Sequence, residues 1–133
     1  MTQFGDLAGN AICYQAFKPQ AITATVTSTN MDFGEGGGGQ FGTTMLLQKG
    51  AVTGTSPTLD IKLQECATTN GTFTDITGAT FAQQTTSGAD GDASLMKTFF
   101  IRNQRYVRAV ATTGGTSPSF TYGLMVMEQK RVT

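Results

Sequence analysis

The chain has no histidine and no tryptophan, and only 14% of its residues are charged, against about 25% in ordinary soluble domains. Without an imidazole there is no Ser-His-Asp or Cys-His nucleophile, no histidine base and no histidine-ligated metal. Nine basic residues balance nine acidic ones, for a formal net charge of zero. Such a chain lacks the basic excess that draws proteins to nucleic acid by counterion release, so no nucleic-acid partner is expected. No apolar run approaches the roughly 20 residues of a membrane-spanning helix, so no membrane partner is expected either. The opening residues, Met1 to Asp6, do not lead from a basic segment into an apolar one as secretory signals do. Synthesis in the cytoplasm is the expectation. Cysteine is scarce as well: Cys13 and Cys66 allow a single pairing, and both are expected as reduced, buried thiols. With no net charge to hold copies apart, self-association is expected.

What fills the polar quota is threonine, 24 residues, together with 17 glycines. The hydrophobic periodicity is that of strands. Residues 21–29 alternate Ile22, Ala24 and Val26 with Thr23, Thr25, Thr27 and Thr29, and β-branched threonine suits a pleated, half-wet surface. In 58–65, Leu59, Ile61 and Leu63 alternate with Asp60, Lys62 and Gln64. In 119–127, Phe120, Tyr122, Leu124 and Val126 share one face and Met125 and Met127 the other. A strand apolar on both faces is central in its sheet or covered by a partner. Weaker strand patterns occupy 10–17, 43–49, 71–76, 79–84, 94–101 and 105–112. Asn70-Gly71 predicts a type I′ hairpin turn, and Gly54–Pro57 and Gly114–Pro118 predict loops ended by proline. Eight or nine short strands about ten residues apart predict one all-β domain over residues 1–133, a sandwich or barrel.

Two sequence features stand apart from this pattern. The stretch Thr55-Ser56-Pro57-Thr58-Leu59-Asp60-Ile61 is matched by Thr116-Ser117-Pro118-Ser119-Phe120-Thr121-Tyr122, 61 residues later. Two hairpins reusing one turn chemistry would account for it, as would internal duplication. The run Gly34-Glu35-Gly36-Gly37-Gly38-Gly39 cannot be a strand or helix interior, given glycine's entropic cost. It lacks the lysine and flanking helix of a phosphate loop. It reads as a surface loop that orders on assembly.

Candidate chemistry is sparse. Asp90-Gly91-Asp92 lacks the third acid and the bidentate glutamate of a calcium loop, so it reads as a solvated turn. Asp32 with Glu35 is a weak pair for acid–base work. No catalytic residue, cofactor or metal is expected. The one basic cluster, Arg102, Arg105 and Arg108, would by alternation place Arg102 and Arg108 beside Tyr106 on one strand face and Arg105 on the other. Its guanidinium groups could dock on an acidic protein surface or simply cover apolar neighbours. The candidate partner-binding residues are therefore Arg102, Arg108, Gly36, Gly37, Gly38, Gly39, Met125 and Met127, the two methionines as a subunit interface.

Ile61-Lys62-Leu63-Gln64-Glu65, followed by the segment from Asn70 to Phe81, then Arg105–Val110 and Gly115–Thr121, resembles small virion proteins of tailed bacteriophages. The resemblance covers roughly residues 52–122. Its nearest form is the capsid decoration, or cement, protein: a small β-sandwich of about eight strands, often jelly-roll-like. Such proteins clamp neighbouring major capsid proteins on the outside of the head. The resemblance implies the major capsid protein as partner, a capsid-surface location in the virion, a homo-oligomer and no catalytic residues. A tail or head–tail connector protein is the alternative within that class. A carbohydrate-binding β-sandwich module is the alternative outside it, although the chain lacks tryptophan and has only three tyrosines to stack on sugar.

Overall fold

A computed structural model describes residues 11–34, 42–85 and 94–129; Gly36–Gly39 and the Asp90-Gly91-Asp92 turn lie outside the described residues. The described chain is all-β. Its strands are β1 (Ala11–Ile22), β2 (Val26–Thr27), β3 (Met31–Asp32), β4 (Thr43–Cys66), β5 (Thr74–Thr80), β6 (Ser94–Phe100) and β7 (Tyr106–Gln129). Two long strands, β4 and β7, pair antiparallel from Thr43↔Glu128 to Cys66↔Tyr106. Everything else hangs on that ribbon: β6 and β5 line the free side of β4, and β1, β2 and β3 line the free side of β7.

Each long strand merges two of the short strands expected from the periodicity. The segments read as loops, Gly54–Pro57 and Gly114–Pro118, lie inside the strands and face each other, with Thr55 paired to Thr116. Here the ladder shifts register three times between Lys49 and Thr58. Gly54 and Gly115 have φ of 114° and 108°, and Ser56 and Ser117 both have φ of 49°. These paired irregularities re-aim the side chains, as bulges do. Val107, Ala109 and Ala111 are buried before the bend, Phe120, Tyr122, Leu124 and Val126 after it, so the inward parity changes from odd to even. One repeated motif therefore serves as both halves of a single corner.

The corner divides the hydrogen-bonded sheet into two layers. One has the order β6, β4, β7, β1 and contains Thr43–Lys49 and Phe120–Glu128; the other has β5, β4, β7 and β2–β3 and contains Leu59–Cys66 and Tyr106–Ala111. Their inner faces share one hydrophobic core, with Met45, Leu47, Phe120 and Leu124 from the first layer and Leu59, Ile61, Leu63 and Val107 from the second. This is a β-sandwich of jelly-roll type. Each such side chain, withdrawn from water, contributes roughly 1.5–3 kcal/mol before entropy is set against it. Tyr122 lies on the same inner face, edge-on to Phe17, and burial pushes its hydroxyl up to about 12.

Other local expectations are corrected. The 21–29 strand is broken: β1 ends at Ile22 and only Val26–Thr27 rejoins the sheet. Asn70-Gly71 is not a type I′ turn, because neither residue has positive φ, and β4 and β5 are joined by the longer loop 67–73. Neither cysteine is disulfide-bonded; Cys66 is buried as expected, but Cys13 is exposed. Its strand belongs to the sheet surface, where alternation turns Cys13 out and Tyr14 in.

Candidate docking surface

The arginine cluster does not form. Arg102 and Arg105 precede β7, so strand alternation never reaches them, and Arg102 is buried at 2% exposure. Its guanidinium forks onto Glu128, with Nε donating to Oε1 at 2.6 Å and Nη2 to Oε2 at 2.7 Å. Nη2 also donates to the carbonyl of Phe33 at 3.0 Å and Nη1 to that of Gln104 at 2.8 Å. Thr43 adds its hydroxyl to the Glu128 carboxylate at 2.7 Å. Glu65, buried in the other layer, accepts the amides of Asn103 at 2.7 Å and Gln104 at 3.0 Å. The segment after β6 is thus strapped to both layers by buried charges. Arg102 cannot dock on a partner: it is the structural clasp of this end of the sandwich.

The clasp also fixes both roots of the glycine-rich segment. Arg102 Nη1 donates to the Gly34 carbonyl at 3.4 Å, and Thr43, just beyond the far root, is held by Glu128. Asp32 caps the near root, accepting the Gly34 amide at 2.9 Å and a two-pronged bond from Arg105 at 2.8 and 2.9 Å. The Arg105 bond, then the Gly34 amide, hold the Asp32 carboxyl down to about 2. A carboxyl more acidic in the folded state stabilises the fold above its unfolded value, near 3.9, and loses that contribution as pH falls towards 2. Asp32→Asn should therefore lower urea stability at pH 5, and its deficit against wild type should shrink as pH falls through 2. A deficit as large below pH 2 as at pH 5 would refute the assignment.

Arg108 is half-buried on the outward face of the second layer. Its Nε donates to Gln64 Oε1 at 2.9 Å, and its guanidinium lies 4.3 Å from the Phe73 ring centroid. Gln64 in turn donates to Asp75 at 2.9 Å, and Lys62 pairs with the same carboxylate at 3.0 Å. The Gln64 and Lys62 bonds lower the Asp75 pKa. This outer face is a solvated polar network whose members already partner one another.

The outer face of the first layer differs in kind. The register aligns Thr44 with Met127 and Met127 with Cys13, then Leu46 with Met125 and Met125 with Gln15. Met125 is 38% exposed and Met127 half-buried, both turned away from the core. Met125 forms part of the wall of a hollow of about 70 Å³, together with Gln15, Pro19, Leu46, Gln48, Gly123 and Leu124. Gly123 lets the Pro19 ring pack directly over β7, since a Cβ there would sit 2.8 Å from it. At the β6 margin Phe99 and Ile101 are exposed by 58% and 42%, and the Phe99 ring covers Gly42, next to the clasp. Among the described residues, no three His, Cys, Asp or Glu side chains group as a metal site. No described helix is long and apolar enough to cross a membrane.

No protein-family model matches the sequence, and no curated protein sequence matches it. Solved structures do superpose on it. The VP2 subviral particle of infectious bursal disease virus superposes with a TM-score of 0.52 at 12% identity. The match covers 90% of this chain and 32% of that one, so this chain spans about a third of the capsid protein's length. The SPBc2 prophage-derived protein YomS gives 0.43 at 11% identity over 90% of this chain and 94% of its own. The CBM36-1 domain of a multidomain xylanase from the hindgut metagenome of Trinervitermes trinervoides gives 0.44 at 11% identity over 92% of this chain and 100% of its own. At 12% identity the property shared with the viral particle protein is the fold alone.

Proposed function

We propose that this protein is a non-enzymatic structural component of a virion, attached as a decoration protein to the outside of a phage head, with the major capsid protein as partner. The observation that carries the reading is the exposed pair Phe99 and Ile101, set beside the clasped roots of the glycine-rich segment. Large apolar side chains left in water beside the buried clasp suit a docking patch. The likeness to a capsid fold and the phage-like sequence segments are consistent with that role. The work done is surface burial across capsid junctions, with many copies making individually modest contacts lasting.

Co-sedimentation with purified heads stripped of their own copy tests this. Wild type is expected to bind. Replacing Phe99 and Ile101 together with serine should weaken attachment by roughly tenfold to a hundredfold, the scale of losing two apolar contacts of 1–3 kcal/mol in all, and leave the circular dichroism spectrum unchanged. Wild-type protein that ignores heads but joins tail fractions, or is retained by a polysaccharide, would overturn the reading.

A further inference from the structure

We infer that Lys49 and Tyr122 hold a small monovalent anion between them, on the inner face of the first layer where it meets the corner. The site is independent of head binding. It lies about 20 Å along β4 from Thr43 and the clasp.

Five polar or charged side chains are buried among the described residues: Thr43, Lys49, Glu65, Arg102 and Glu128. Four of them are answered. Arg102 and Thr43 bond Glu128, and Glu65 accepts two backbone amides. Lys49 is the exception. It is 4% exposed, yet among the described residues no hydrogen bond or counter-charge reaches its ammonium. An ammonium withdrawn from water in this way is costly until something neutralises it.

Tyr122 is a second exception. It is 1% exposed, and its hydroxyl is the one enclosed side-chain polar atom among the described residues with no hydrogen-bond partner. Buried polar groups are nearly always satisfied, so such an atom calls for an explanation. The register brings the two exceptions together, because Lys49 on β4 stands directly opposite Tyr122 on β7. Both point inward, which sets their Cβ atoms about 4.5–5.5 Å apart.

The chemistry of the pair selects the ligand. The ammonium offers three donors and no acceptor, and the phenol offers an O–H. One acceptor between them serves both, and a negative charge on it neutralises the ammonium as well. A single cation matches a single negative charge. The same face carries Leu47, Phe120 and Leu124, an apolar setting that disfavours a divalent, strongly hydrated ion such as sulfate. Chloride, bromide and nitrate have the required charge and weaker hydration. The Tyr122 ring is held edge-on by Phe17, 5.9 Å between centroids, which fixes where the hydroxyl lies. Lys49 keeps a trace of exposure, so an ion enters from its side.

Diffraction from crystals grown with bromide as the halide tests the site directly: one anomalous peak is expected within hydrogen-bonding reach of both Lys49 Nζ and Tyr122 Oη. In solution, chloride is raised from about 1 to about 100 mM at constant ionic strength, replacing a bulky organic sulfonate. The thermal midpoint of the wild type should rise by several degrees, because the ion binds the folded state alone. Lys49→Met keeps the stem, removes the charge and should abolish the response. Tyr122→Phe keeps the ring and should move the half-effective chloride concentration up by about tenfold or more, the scale of one hydrogen bond to a charged group. Water or a carboxylate of the chain itself in the bromide position overturns the inference. So does a midpoint response that survives in both variants. A bromide peak without any midpoint response marks an adventitious ion only, and overturns it equally.

Discussion

Replacing Gly115 with alanine is expected to destabilise the fold by roughly 3 kcal/mol or more, the sum of a strained backbone and a clash with the main chain. At φ 108° a side chain is strained wherever it stands. Here a Cβ would also lie 2.7 Å from the Ser56 carbonyl oxygen and 2.9 Å from Pro57 Cα. Gly54 is its counterpart, with φ of 114° and a Cβ that would meet Pro118 Cα and the Ser117 carbonyl at 2.8 Å. Each glycine admits the backbone of the other strand's Thr-Ser-Pro. The two substitutions should therefore be strongly coupled: once one has pushed the strands apart, the second costs less. A double-mutant cycle by urea denaturation should show a coupling of about 1–3 kcal/mol. Additive effects would mean that the two motifs bend independently.

The second large effect is expected at the clasp. Arg102→Met or Glu128→Gln alone should cost about 3–5 kcal/mol, because each leaves a buried charge without its counter-charge. Removing both, as Arg102→Met with Glu128→Leu, should cost far less than the sum. Some penalty should remain, roughly 1–3 kcal/mol, since the Phe33 and Gln104 carbonyls and the Thr43 hydroxyl lose their partners. Equilibrium denaturation of the three variants decides the point. Near-wild-type stability of Arg102→Met would restore Arg102 to the surface and with it a docking role.

Much of the sandwich was legible in the sequence because burial is one-sided. The stripes Leu59-Ile61-Leu63 and Phe120-Tyr122-Leu124-Val126 are buried, and Met125 and Met127 take the opposite parity. The corner was not legible. Glycine and proline clusters signal a break in local pairing, but whether the break ends a strand or bends it depends on the segment lying opposite. Here that segment is the same motif, 61 residues away. Arg102 was misplaced for a related reason: alternation was extended to a residue outside β7. Its partners had left a trace. Glu128 and Glu65 each end an apolar stripe on the inward parity, and an acid in such a position needs a buried cation or backbone amides. The hollow was beyond reach, because it exists only where Pro19 crosses Gly123 in the folded register.

The β4–β7 ribbon has a further consequence for how the molecule comes apart. In many sandwiches the two sheets are joined only by loops, and one can loosen while the other persists. Here the same two strands run through both layers, so an opening that starts in one layer travels along an unbroken ladder into the other. Partial, sub-global openings are expected in the short flanking strands β2, β3, β5 and β6, and the ribbon is expected to give way as one unit. Its far ends, Thr43 with Glu128, lie 85 residues apart in sequence, a non-local pairing of the kind that slows folding. A chain built this way assembles slowly and then holds both layers until both are lost together.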